Sequence, residues 1–312
     1  MGYHAERVRY SPIVKRPPVR WPNGARVAVW VAPNIEHTEY LPPPNEYMDP
    51  WPRTPHPDIR EYGFHDYGNR VAFWRLLKVL DRHGIRATVS LNVGVLDLFP
   101  EITQAMVERN WDYMLHGIFN TRYLYGATAE EERAFYQDCI ATVQKHTGKT
   151  PKGMLGPAIT GTIRTPDLMA EAGLIYHADW IHDDQPVPLE VSGGRKLISI
   201  PYSYELNDGP LLKSNIDGVE WAQMCKDQFD RLYREGERTG MVMPFSIHPF
   251  RIAQAARIDY FESVLEHIRR HDDVWLTTGD EIAQYYLDNY YDEAVAHLAE
   301  MARYTSRRRH AG

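Results

Sequence analysis

The sequence predicts an α/β fold, a distorted (β/α) barrel of seven or eight strands, and three observations carry that expectation. The chain has 312 residues, enough for one β/α barrel, which commonly takes roughly 250. Short apolar runs rich in β-branched residues alternate with stretches of helical spacing along most of its length. Hydrophobic residues make up 43% and aromatic residues 12% of the chain, so a large core can form and disorder is not expected.

Taken in order, residues 1–25 are rich in Pro and Arg without periodicity and read as an extended arm over the domain or a neighbouring subunit. The run from Arg26 to Ala32 (RVAVWVA) has the character of a buried parallel strand, with Pro33 as its expected end. Residues 38–62 crowd prolines and aromatics, including Tyr40, Tyr47 and Trp51. A connection of that length is usually functional, so a lid or pocket wall is expected there. Asn69 to His83 shows helical spacing through Val71, Trp74, Leu77 and Leu80, with Gly84 as its stop. Further strands are expected over 86–91, 111–115, 152–155, 174–178, 197–201, 241–247 and 274–277. Helices are expected over 100–109, 128–147, 165–172, 219–239, 258–271 and 279–289. Residues 179–216 read mostly as loop. The barrel thus spans 26–290, and residues 291–312 read as an added helix and tail.

A formal net charge of -7 argues against nucleic-acid and anionic-membrane partners, which favour basic surfaces. Arg307, Arg308 and Arg309 read as a solvated tail. The two cysteines, Cys139 and Cys225, sit in charged, helix-like stretches, so a reducing, cytoplasmic compartment is expected. No apolar segment follows Met1 as a secretory signal would, and no run reaches the length of a membrane span.

In a parallel β/α barrel the chemistry sits where strands end and loops begin. The first strand leads to Asn34, Glu36 and His37, and the second to Asn92. The third leads to His116 and Asn120, and the fourth to the turn Gly156-Pro157. The fifth leads to Asp179, Trp180, Asp183 and Asp184, and a late strand to His248. Each also has a plain reading. Glu36 and His37 can be a solvated loop pair, His116 a satisfied core histidine, and His248 a cap before Pro249. The aspartates can be turn formers. Arg70 sits early in a helix, where the dipole does not help a cation, which suggests a specific partner. No Gly-x-Ser-x-Gly, Walker, His-Glu-x-x-His or Cys-x-x-Cys sequence is present.

Over roughly residues 20–290 the order and spacing resemble the polysaccharide-deacetylase (NodB) superfamily. That superfamily carries an Asp-Asp pair after its first strand, a His-x-x-x-His after its third and a late strand ending in His. Here Asn34-Ile35-Glu36-His37, His116-Gly117-Ile118-Phe119-Asn120 and Ser246-Ile247-His248-Pro249 occupy those places. Tyr67-Gly68-Asn69-Arg70 with Phe73-Trp74, and Leu155-Gly156-Pro157, look closer to its allantoinase-like branch. The resemblance implies a hydrolase of non-peptide C–N bonds acting on a small-molecule substrate, with homo-oligomers frequent among relatives. It places Glu36 as general base and His248 as the acid for the leaving nitrogen. It implies a divalent metal, zinc by the family's habit, on His37 and His116 with Asn120, Glu36 or water as the third ligand, since imidazole is a good zinc ligand and Asn a poor one. A metal-free variant stays open, as in some allantoinase-like relatives. Asn34, Arg70, Asn120, Trp180 and Asp183 are the expected substrate contacts. A cyclic amide, imide or ureide is the expected substrate. The alternatives are an N-deacetylase of an acetylated sugar or small amine, and an inactive barrel that binds a small ligand.

Overall fold

The computed structural model describes residues 7–42, 57–214 and 216–310. Nine strands form one sheet: β1 (Val27–Ile35), β2 (Thr88–Leu91), β3 (Asp112–Leu115), β4 (Gly153–Met154), β5 (Tyr176–His177), β6 (Val187–Leu189), β7 (Leu197–Ser199), β8 (Met241–Ile247) and β9 (Val274–Thr277). Their order is β6-β7-β5-β4-β3-β2-β1-β8, with β9 paired to β1. Every pairing is parallel except β6 with β7. This is the distorted (β/α) barrel that the alternation of runs predicts.

The central strand β1 is buried throughout, and its residues divide between two core layers as a period of two requires. Val27, Val29 and Val31 pack toward the helices. Ala28, Trp30 and Ala32 belong to the second layer, with Met114, Tyr176 and Ile198. Small neighbours make room for the rings there. A Cβ on Gly153 would lie 1.9 Å from the Tyr176 ring, so β4 passes close only because it carries glycine at that point.

Pro33 does not end β1. The strand runs on to Ile35, with Pro33 in register with Ile247 of β8. On its other edge β1 pairs β9 only through Trp30 and β2 only from Asn34. Pro33 falls between those two ladders, where its missing N–H forfeits no sheet bond. The strand's end is thereby carried to Glu36. The gap between β8 and the hairpin side is spanned by chain rather than strand. Val242 N–H donates to the Asp184 carbonyl at 2.9 Å, and Gln185 Nε2 donates to Thr239 Oγ1 and the Gly240 carbonyl. The N-terminal arm lies over the start of β8, where Gly240 N–H donates to the Val19 carbonyl and Trp21 Nε1 to the Met241 carbonyl.

Several elements escaped the sequence pattern, β6 among them, and two of these bear on the site. A helix covers Ile59–Tyr67, inside and beyond the stretch expected to be loop, and a short helix covers Asp208–Leu211. The expected lid lies partly outside the described residues, including Tyr47 and Trp51. At the other end of the chain a helix covers Tyr291–His310. Among the described residues no helix is long and apolar enough to cross a membrane.

Candidate active site

The C-terminal ends of β1, β3 and β8 open into a cavity of about 470 Å³ whose wall includes Asn34, Glu36, His65, His116, Asn120 and His248. Glu36 is its centre, 4% exposed. One carboxylate oxygen, Oε1, lies 3.2 Å from His116 Nε2 and 3.4 Å from His248 Nε2. The other, Oε2, lies 3.2 Å from His65 Nε2 and accepts a 3.0 Å hydrogen bond from Asn120 Nδ2. Asn69 Nδ2 donates to the Glu36 carbonyl at 2.9 Å, fixing the backbone from which the carboxylate projects. Asn69 sits in a π-helical stretch, Gly68–Ala72, that joins two α-helices. Such bulges recur at functional sites because they re-aim one side chain. Gly68 lets this stretch approach Phe250, since a Cβ there would lie 3.1 Å from the Phe250 Cβ.

Each imidazole is oriented from behind by its Nδ1. His65 Nδ1 donates to the Glu61 carbonyl at 2.9 Å, and His116 Nδ1 to the Leu155 carbonyl at 2.8 Å. His248 Nδ1 lies 2.6 Å from Asp208 Oδ1. A carbonyl only accepts, so Nδ1 carries the proton in His65 and His116, and all three rings turn Nε2 toward Glu36. Asp208 is fully buried and also accepts from the backbone N–H groups of His248 and Ile252.

These contacts set the charges. Burial works against the His248 imidazolium, but the Asp208 and Glu36 carboxylates outweigh it and raise the ring to about 10. Burial likewise works against the Glu36 anion. The His248 charge, with hydrogen bonds from His116, His248 and His65, reverses that and holds the carboxyl well below its ordinary range. The resting pair is therefore carboxylate and imidazolium, 3.4 Å apart.

The cavity wall also carries backbone outside the usual regions. Ala158 and Ile159 have φ of 53° and 56°, uncommon for residues with a Cβ and a genuine outlier for a β-branched one. Both face the cavity. Their loop is pinned by Gly156 N–H, which donates to Asp179 Oδ1 at 2.8 Å. Strain of this kind collects at ligand-binding walls.

The structure brings Asn34, Glu36, Asn120, His116 and His248 together and leaves four expected site residues elsewhere. His37 alternates away from Glu36 at the strand end. Its ring packs against Tyr62, Phe99 and Phe119, its Nδ1 is buried without a partner, and burial lowers its pKa. Arg70 is exposed and pairs with Asp66 one helical turn away, which supplies the partner its position called for. Trp180 Nε1 donates to His177 Nδ1 at 3.2 Å. Asp183 holds the N-terminal arm through Arg16, with contacts of 2.8 and 2.6 Å. The expected metal set of His37, His116 and Asn120 is thus not assembled. His37 faces an aromatic box, and Asn120 offers an N–H to Glu36 rather than a lone pair to an ion. The Glu36 carboxylate lies between the imidazoles, and with His37 turned away the set of His37, His116 and Asn120 does not form a metal centre. Among the described residues, the three potential ligands close enough to share an ion are Asp230, His267 and His271. They belong to the outer helices Gly218–Glu235 and Ile258–Ile268 and the residues just after. Those helix ends lead into the starts of β8 and β9, the opposite end of the barrel from Glu36.

Sequence reading missed His65 and Asp208. His65 falls between the loop expected over 38–62 and the helix expected from Asn69, and Asp208 lies in a stretch read mostly as loop.

The comparisons agree with this architecture. The family model described as Polysaccharide deacetylase matches residues 62–177. A peptidoglycan deacetylase from Helicobacter pylori is 26% identical over 256 residues, covering 71% of this chain and 85% of that protein. The crystal structure of Puue allantoinase superposes with a TM-score of 0.80 at 25% identity, covering 93% of this chain and 99% of the other. That of a probable polysaccharide deacetylase from Pseudomonas aeruginosa PAO1 gives a TM-score of 0.77 at 26% identity, covering 88% and 95%. Strand order and these matches together show a polysaccharide-deacetylase domain match over residues 62–177, within a fold that the whole chain shares with those solved structures.

Proposed function

We propose that this chain hydrolyses a non-peptide C–N bond, opening a small cyclic amide, imide or ureide with Glu36 as general base and His248 as general acid. The observation that carries the reading is the buried Glu36–His248 pair, held 3.4 Å apart in opposite charge states by Asp208 behind the ring. Amide hydrolysis needs both states at once: an anionic base for the attacking water and a protonated acid for the leaving nitrogen. Water enters between the two groups and adds to the substrate carbonyl carbon as its proton passes to Glu36. The oxygen that gains charge is met by N–H donors aimed into the same space, with the Asn120 amide the nearest to Glu36. His248 Nε2 then protonates the nitrogen as the C–N bond breaks. A base paired to an imidazolium is weak, and insertion of substrate lengthens that pair and restores its basicity.

Two things favour a small ring over a glycan chain. The cavity is of small-molecule size, and the superposition on an allantoinase covers nearly the whole chain. The deciding experiment compares turnover of succinimide, hydantoin, dihydrouracil and allantoin with turnover of N-acetylglucosamine and its short oligomers. Ring opening of one or more of the first group, with the second inert, is expected. The reverse pattern transfers the same residues to an N-deacetylase, and inertness toward both groups sinks the hydrolase reading.

A further inference from the structure

Arg251, a cation in the cavity wall, has no carboxylate partner among the described residues. Arg251 is half-buried and lines the same cavity as Glu36. Its Nε is buried, and among the described residues no hydrogen-bond acceptor meets it. Its guanidinium is held instead by rings, 4.3 Å from the centre of Phe64 and 5.6 Å from that of Phe250. Phe250 in turn packs on His65, with ring centres 4.2 Å apart. A guanidinium fixed on an aromatic shelf keeps in-plane N–H groups available to a ligand. Among the described residues no carboxylate lies within ion-pair distance of it, whereas Arg16, Arg82, Arg109, Arg122 and Arg133 each have one. Burial lowers its pKa from the ordinary value, against the more distant pull of Asp208 and Glu61. Lys213, exposed on the same wall, adds a second cation. The carboxylate of that wall, Glu36, is already matched by His248.

We propose that Arg251, assisted by Lys213, binds an anionic group on the substrate, so that the molecule hydrolysed at Glu36 carries a carboxylate beside its scissile amide. The inference rests on the hydrolase reading for its chemistry, but the binding it describes is measurable apart from turnover. The fork geometry of a guanidinium suits a planar carboxylate, and a hydrogen bond between charged partners is stronger than one between neutral groups.

The test uses pairs of compounds that differ by one carboxylate: dihydroorotate against dihydrouracil, and hydantoin-5-acetate against hydantoin. Affinity is read by calorimetry on Glu36→Gln, and kcat/KM on the unmodified chain. The carboxylated member is expected to win by about 10- to 100-fold in each pair. Arg251→Met should bring that ratio close to one, and Arg251→Lys should keep part of it. A thermal melt of Arg251→Lys at the unmodified value shows that the ratio reports binding and not lost structure. A ratio near one in the unmodified chain, or one that Arg251→Met leaves intact, overturns the proposal while turnover of neutral rings leaves the hydrolase reading standing. N-acetylmuramate against N-acetylglucosamine provides the same contrast on an acetylated sugar. An Arg251-dependent preference there, with every ring inert, supports the anionic subsite and removes the ring-opening reading.

Discussion

Glu36→Gln is expected to lower kcat by about 10²–10⁴-fold, the usual worth of a positioned general base, while the chain stays folded. The substitution keeps shape and the carbonyl-type acceptor but removes the charge that both activates water and sustains the His248 imidazolium. Two effects therefore add. Water loses its base, and the imidazolium loses one of the two anions that raise it to about 10. The loss should appear in kcat more than in KM, because a proton transfer is made only in the transition state. Some stability should be lost with the charge, since a carboxyl held well below its ordinary range favours the folded state at neutral pH, but Asp208 still pairs the His248 ring. The measurement is steady-state kinetics beside a thermal melt on a confirmed substrate. Full turnover in Glu36→Gln would remove Glu36 from the chemistry, whatever its place in the cavity.

The frame of this site was legible because strand ends are written in the sequence. β1, β3 and β8 are apolar runs with polar residues just beyond them, and Glu36, His116, Asn120 and His248 follow directly from that pattern. What was not legible has a common cause. A side chain's direction at a strand end depends on whether the strand stops or continues, and Pro33 suggested a stop where the pairing on β8 continues. That continuation, together with the alternation of neighbours, sends Glu36 inward and His37 into an aromatic box. His65 and Asp208 lie in Ile59–Tyr67 and Asp208–Leu211. The first has weak amphipathic character and follows a proline-rich run, and the second is one turn long, so no periodicity could reveal either. Trp180 and Asp183 were read as site residues because they follow β5, but the chain there turns away to bridge toward β8 and pin the N-terminal arm. Position after a strand selects candidates; tertiary partners choose among them.

Asp208→Asn should move the alkaline limit of activity by several pH units. His248 is raised from 6.5 to about 10 against the effect of burial, and Asp208 is the first of the two carboxylates that raise it. With Asn in its place, burial is opposed by Glu36 alone, and the ring deprotonates at much lower pH. In the unmodified chain the active form, carboxylate with imidazolium, persists from below the ordinary carboxylate range up to about 10. A flat rate profile across neutral pH is the expected consequence. In Asp208→Asn the rate at pH 8 should fall by about 10²–10⁴-fold and recover as pH is lowered and His248 regains its proton. The same shift bears on stability. A group whose folded pKa is raised stabilises the fold fully below its unfolded value of 6.5 and ceases to as pH climbs through about 10. The unmodified chain should therefore lose this contribution on the alkaline side, and Asp208→Asn should lack most of it already at neutral pH. Asp208 also accepts two backbone N–H groups, so a melt of the variant must accompany the kinetics. If the folded variant keeps an alkaline limb near 10, His248 is not the acid.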